Sequence, residues 1–115
     1  MMSFKRGDVV LVRFPNSDLK TYKKRPALIV QADDLDTGLS QKIIALITSN
    51  LNRTGPTRVL VEKKSELGKH MGIITNSVIV ADNLATVLER EIDKVIGNCV
   101  ETAKVDQALR KVLAL

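Results

Sequence analysis

Five short runs rich in Val, Ile and Leu, each closed by turn-forming residues, precede one stretch of helical periodicity, and this order of periods predicts a mainly β chain ending in a helix. The runs are Gly7–Phe14, Arg25–Gln31, Ile43–Ser49, Arg58–Val61 and Ser77–Asp82. Several carry apolar side chains on both faces, as in Val9-Val10-Leu11-Val12. Such strands need burial on two sides, which a strongly curved antiparallel sheet closing toward a small barrel provides. In the last stretch Val105, Ala108, Leu109, Val112 and Leu113 recur at i, i+3, i+4, i+7 and i+8, with Lys104, Asp106, Gln107, Arg110 and Lys111 between them. That is an amphipathic helix with Thr102 as its N-cap and an apolar stripe for the sheet. Ile92–Asn98 forms a further strand before it.

The whole chain, residues 1–115, is expected to form one domain, because a second core would lack apolar surface. No apolar run approaches the roughly 20 residues of a membrane span, and the opening Met1-Met2-Ser3-Phe4-Lys5-Arg6 lacks the apolar segment of an export signal. A cytoplasmic location follows as the expectation. One cysteine, Cys99, and one histidine, His70, are too few for a disulfide or a structural zinc site, so neither a metal nor another cofactor is expected. The net charge of +5 favours polyanionic partners such as nucleic acid. Aromatic residues are limited to Phe4, Phe14 and Tyr22, too few for a stacking platform, so any grip on nucleic acid must be mainly electrostatic.

The stretch Lys23-Lys24-Arg25-Pro26-Ala27-Leu28-Ile29-Val30 sets a basic cluster against a proline at the mouth of a strand. Pro26 pushes Arg25 toward an extended conformation and cannot donate to a ladder, which predicts a strand start beside an open rim. A second run, Ile43–Ser49, ends in the polar trio Thr48-Ser49-Asn50. If the two runs form a hairpin about Asp36-Thr37, Arg25 stands opposite Thr48 on one face. A bulge in either strand would separate them.

These segments carry a resemblance. Arg6-Gly7-Asp8-Val9-Val10-Leu11-Val12, then Arg25-Pro26-Ala27-Leu28-Ile29-Val30, then Ala45-Leu46-Ile47-Thr48 are similar in order and spacing to the signatures of the MazF/PemK toxins. The similarity continues through Ser77-Val78-Ile79-Val80 into Lys104-Val105-Asp106-Gln107-Ala108-Leu109. The resemblance implies a small SH3-like antiparallel barrel with a C-terminal helix, of the CcdB/PemK type. It implies a homodimeric toxin that cleaves single-stranded mRNA without metal and is neutralised by a cognate antitoxin, usually acidic and partly disordered. The family's catalytic arginine and threonine fall on Arg25 and Thr48, and the aspartate used by some members falls on Asp82.

The chemistry suits these residue types. Cleavage by the RNA's own 2′-hydroxyl requires a proton acceptor, positive charge for the phosphorane and a proton for the leaving 5′-oxygen. Arg25 supplies charge and Thr48 a hydrogen bond, while the acceptor is open, with Asp82 the first candidate. Ser49, Asn50, Arg53 and Arg58 are candidate RNA contacts. Lys20, Lys23 and Lys24 join them, offsetting a family arginine replaced here by Ala85. The loop Asn16–Lys24 departs from the family's glycine-containing, polar pattern. His70, in Leu67-Gly68-Lys69-His70-Met71-Gly72, reads as a solvated residue in a glycine-bounded loop, and Asp33, Asp34 and Asp36 as a polar hairpin loop lacking calcium-loop spacing. Two other readings share the fold: a CcdB-like toxin that binds gyrase without cleaving anything, and a non-catalytic RNA-binding barrel.

Overall fold

The computed structural model describes residues 3–15 and 18–115. Met1 and Met2, and Asn16 and Ser17 of the loop expected before Arg25, lie outside the described residues. In chain order the elements are β1 Asp8–Pro15, β2 Tyr22–Ile29, β3 Gln41–Thr48, β4 Arg58–Val61, α1 Glu66–Met71, β5 Ser77–Leu88, β6 Ile92–Asn98 and α2 Ala103–Leu113, with a 3-10 turn at Glu89–Glu91. The strands form one antiparallel sheet in the order β4-β5-β3-β2-β1-β6. This is the mainly β architecture with a C-terminal helix expected above. The sheet is not closed, however: β4 and β6 stand at opposite edges, and helices cover the opening instead. The helix α2 packs on β4 and β5, and α1 on β6.

Apolar side chains fill both faces of the sheet, as the doubly apolar strands require. On the helix side, Val9, Leu28, Ala45, Ile47, Val59, Val61 and Ile79 pack with Met71 of α1 and with Val105 and Ala108 of α2. On the other side Phe4, Val10, Val12, Ala27, Ile29, Ile44 and Ile92 form a second cluster. Successive residues of β1 and β2 alternate between the two, so each strand is read twice.

Three expectations are corrected. Arg25 does not begin a strand, because β2 starts at Tyr22 and pairs with β1 from Pro15↔Tyr22 to Val9↔Leu28. What ends near Pro26 is the ladder to β3, which pairs Ala27 to Ile29 and stops where the proline lacks an N–H. Next, β5 does not end at Asp82 but runs to Leu88 through a bulge: Leu46 faces Val80, while the adjacent Ala45 faces Leu84. Finally, His70 lies in α1 rather than in a loop. The hydroxyl of Ser65 caps that helix by accepting from the Gly68 N–H at 3.0 Å, and Gly72 ends it with φ 71°. At α2, Thr102 stands at the N-cap and its carbonyl accepts from Asp106 at 2.8 Å, but its side chain makes no cap bond. The stripe packs as expected except for Leu113, which is exposed.

A helix as short as α1 is marginal by itself. It is held by backbone contact, since a Cβ on Gly68 would strike Glu62 and one on Gly97 of β6 would strike His70 and Met71. Replacing Gly97 with Ala is therefore expected to cost about 1–3 kcal/mol through overpacking. Urea unfolding followed by circular dichroism measures this; a midpoint unchanged from the parent would refute the tight α1–β6 contact.

Candidate active site

The β2–β3 register pairs Ala27 with Leu46, Leu28 with Ala45 and Ile29 with Ile44. This is the register expected for a hairpin centred on Asp36-Thr37; the ladder ends at Ala27 and Leu46, and continued two residues further the same register would bring Arg25 across from Thr48. By strand alternation Arg25 shares the face of Ala27 and Ile29, opposite the helices. Its β1 neighbour is Val12, and Thr48 faces Val78, which in turn faces Leu60 of β4. Val12 and Arg25 thus form one row and Thr48, Val78 and Leu60 another, and the β2–β3 register aligns the two across the gap where the ladder has ended.

Arg25 is exposed, and its guanidinium has no ion-pair or hydrogen-bond partner among the described residues. Thr48 is half-buried, and its Oγ1 accepts from the Asn50 N–H at 3.1 Å, which fixes its acceptor side and leaves the hydroxyl proton free to donate. The Asn50 side chain accepts in turn from the Asn52 N–H at 3.1 Å. Ser49 and Asn50 are exposed on this turn. Beyond it a cleft of about 190 Å³ is lined by Leu51, Arg53, Thr54, Gly55, Arg58, Leu60 and Val78. The cleft therefore adjoins Thr48 through Val78, its cross-strand neighbour.

Asp82 is engaged within the protein. It sits in the β5 bulge, where Arg58 Nη2 donates to its Oδ2 at 2.9 Å and Arg58 Nε donates to Oδ1 at 3.3 Å. The Nη1 of Arg58 also donates to the Thr54 carbonyl at 3.2 Å. Chiefly through the Arg58 hydrogen bond, the Asp82 carboxyl is held below the usual carboxylate range. A carboxylate so stabilised is a weaker proton acceptor.

The expected RNA-contacting cations divide. Lys23 shares the Arg25 face by alternation, and Arg53 and Arg58 line the cleft. Lys24 instead lies on the helix-side face, pairing with Asp93 at 3.2 Å and lining an apolar cavity of about 290 Å³ with Leu11, Pro26, Ile73 and Ile96. Lys20 sits in a turn fixed by Asp18, which accepts from the N–H groups of Lys20 at 2.8 Å and Thr21 at 3.0 Å. Those bonds, Thr21's first, also lower the Asp18 pKa. The Arg13 guanidinium carbon lies over the Tyr22 ring, 5.1 Å from the ring centroid. Cys99 is buried, donates to the Glu101 carbonyl at 3.3 Å, and has a pKa raised by burial, so it is not primed as a nucleophile. Among the described residues, no three His, Cys, Asp or Glu side chains cluster as metal ligands. Nor is any helix there long and apolar enough to cross a membrane. The Arg58–Asp82 fork could not be anticipated from sequence, because it joins positions 24 apart through an unforeseen bulge.

Fold and site together define a small curved-sheet protein with a free arginine and a threonine hydroxyl on its open face. The family model for the PemK-like, MazF-like toxin of type II toxin-antitoxin systems matches residues 5–115, and the chain belongs to this family. Its fold is similar to that of an endoribonuclease from a mycobacterial species, with 26% identity, 100% of this chain and 95% of that one covered, and a TM-score of 0.73. A mycobacterial endoribonuclease in complex with its cognate antitoxin aligns with a TM-score of 0.74 at 23% identity, over 98% of this chain and 97% of that one. A MazE–MazF complex from Deinococcus radiodurans aligns at 0.73 with 18% identity, over 99% of both chains. No curated protein sequence matches.

The lowered pKa of Asp82 makes a signed prediction about stability. Above the ordinary value of 3.8 both folded and unfolded chains are ionised, and the stabilisation from the Arg58 fork is complete. As pH falls below that value the unfolded chain takes up its proton first, and the stabilisation disappears through the folded pKa. Denaturant unfolding of Asp82→Asn should therefore show a deficit relative to the parent at pH 7 that closes under acid. A deficit independent of pH would contradict the assignment.

Proposed function

We propose that the protein is an endoribonuclease toxin that cleaves single-stranded mRNA without a metal ion, with Arg25 and Thr48 at the reacting phosphate. The observation that carries this reading is the unpartnered Arg25, which the β2–β3 register continued two residues past its last pair would bring across from Thr48, in a member of the MazF/PemK family. An exposed guanidinium with no internal partner keeps its donor fork for an anion. The reaction suited to the pair is transesterification. The RNA 2′-oxygen bonds to phosphorus as its proton leaves, the bond to the 5′-oxygen breaks, and that oxygen takes up a proton. The products are a 2′,3′-cyclic phosphate and a 5′-hydroxyl. Arg25 meets the charge that grows on the phosphorane oxygens, and Thr48, its acceptor side held by Asn50, points its proton toward a phosphate oxygen. Dependence on the 2′-hydroxyl makes DNA inert as a substrate.

Arg53 and Lys23 on the same side, with Ser49 and Asn50 at the turn, supply contacts to the flanking strand. The reading includes a homodimer and a cytoplasmic setting, as the family resemblance implies. It also includes a cognate antitoxin whose acidic segment competes for this basic face. Support for that partner comes from the similarly folded toxins solved with antitoxins.

The test is to incubate the purified protein with a long single-stranded RNA in excess chelator and map the ends. Discrete cuts bearing cyclic phosphates are expected. Loss of Arg25 in Arg25→Ala should lower kcat about 10²- to 10³-fold, as removal of one oxyanion donor does elsewhere. Thr48→Ala should cost about ten- to a hundredfold, the rate equivalent of one hydrogen bond to a charged group. Intact RNA at high enzyme excess would sink the reading.

A second measurement concerns binding. Affinity for a 2′-O-methyl RNA, whose nucleophile is blocked, should fall linearly on a log–log plot against salt, with a slope of about −0.7 per phosphate contact. An affinity indifferent to salt would exclude the basic face as the RNA-binding surface.

A further inference from the structure

Resting on that ribonuclease reading, we propose that Asp82 is a positioning residue for Arg58 rather than the proton acceptor, and that Arg58 so held is the cation that binds the RNA backbone beside Thr48. Three observations combine. The first is the fork, in which both Asp82 oxygens accept from Arg58, at 2.9 and 3.3 Å. A carboxylate whose two oxygens are both committed to a guanidinium has to give up that pairing to take a proton from substrate.

The second is the bulge. Residues 81–83 are extra to the β3–β5 ladder, and the Ala81 N–H turns to the Thr57 carbonyl at 3.0 Å, beside Arg58. The strand leaves its partner here and presents Asp82 to β4. Without the bulge, the residue after Val80 would continue the ladder opposite Ala45.

The third is the direction of Arg58. It pairs with Val80 of β5, one row from Leu60 and Val78, and it lines the same cleft as Val78, the cross-strand neighbour of Thr48. A guanidinium has five N–H donors. Asp82 takes two and the Thr54 carbonyl a third, which leaves two for a ligand. Clamped on one edge, the side chain enters binding with its rotamer already fixed, so less conformational entropy is lost when it meets a phosphate. Arg53, on the same cleft and without a side-chain partner among the described residues, adds a second positive charge.

Positioning and simple electrostatics predict opposite signs for one substitution. Removing the negative charge of Asp82 brings an anionic ligand to a more positive rim, so Coulomb interaction alone tightens binding. If Asp82 positions Arg58, its removal loosens binding despite the gain in charge.

The experiment measures fluorescence anisotropy of a labelled 2′-O-methyl RNA oligonucleotide with the full chain at low salt, alongside kcat and KM on the cleavable RNA. Asp82→Asn is expected to weaken binding about three- to tenfold and to raise KM by a similar factor. Its kcat should stay within about twofold and the acid limb of its pH profile should not move. Arg58→Gln should weaken binding at least as much and flatten the salt slope by about 0.7. The double variant should be no worse than Arg58→Gln, the signature of a shared pathway. Arg58→Lys keeps the charge without the fork and should resemble Asp82→Asn, which gives the same test should that variant fail to fold. Tighter binding by Asp82→Asn, or losses that multiply in the double variant, would overturn the proposal. So would a hundredfold fall in kcat with the acid limb gone and binding unchanged, which is the signature of a general base. A parent protein that neither binds the probe nor cleaves RNA overturns the ribonuclease reading itself, an outcome distinct from all of these.

Discussion

Both faces of the central strands β2 and β3 are apolar, so hydrophobic burial alone does not decide which of their residues stand opposite one another. A slip of one residue in β2 would exchange Leu28 for Ala27 or Ile29 in the helix-side core and turn Arg25 to the wrong face. Polar groups at the loop end hold the register. The N–H groups of Val30 and Gln31 both reach the Ile43 carbonyl, at 3.1 and 3.3 Å, and the Ile43 N–H returns to the buried Gln31 side chain at 3.1 Å. Arg6 donates to the Val30 carbonyl at 3.0 Å and to Asp106 of α2 at 2.9 Å, while its own N–H reaches Asp33. The chain start, the β2–β3 connection and the C-terminal helix thereby share one clasp. At the far end, Pro26 withholds the donor that would continue the ladder, and the strands part at Arg25 and Thr48.

The bulge in β5 follows from the same double-faced arrangement. Before it, Ile79 belongs to the helix-side core, as does Ala81 at its start; after it, Leu84 packs there while Ala85 and Val87 join the opposite cluster. The three extra residues let one strand lie along β3 for its whole length while the sheet bends sharply, and bulges are the usual means of such bending. The residues expelled from the ladder would leave backbone groups unsatisfied. The Ala81 N–H finds the Thr57 carbonyl, and the Asp82 side chain, carried out of the ladder with it, pairs with Arg58.

How legible this was depended on range. The β2–β3 register could be read because the two apolar runs lie at equal distances from Asp36-Thr37 and strand period is fixed at two. The placement of Lys24 away from Arg25 was legible by the same parity, yet a reading by charge groups all three basic residues together. The helix α1 was not legible: its six residues contain Gly68, a poor helix former that is required because the backbone of Glu62 and Lys63 lies against it. Nor was the pairing of Asp82 with Arg58, which depends on a bulge that no local pattern encodes. The strand-ending aspartate that suggests a base in sequence turns out to be held by an arginine.

Charge pairing also determines what the +5 net charge can do. Arg6, Lys24 and Arg58 are bound to carboxylates, on three different parts of the surface. Arg25, Lys23 and Arg53 have no side-chain partners among the described residues, and alternation and the cleft put them on one side of the sheet. The field offered to an anion is therefore local rather than spread over the molecule. Of the aromatic side chains described, Phe4 is buried in the second cluster and Tyr22 lies against Arg13 on the opposite face. A nucleic acid held by these cations would be gripped through its phosphates. Phosphate contacts carry no sequence information, so discrimination among bases would fall to polar groups at the edge of such a grip, and the exposed turn Ser49-Asn50, anchored to the Thr48 hydroxyl, is placed for it.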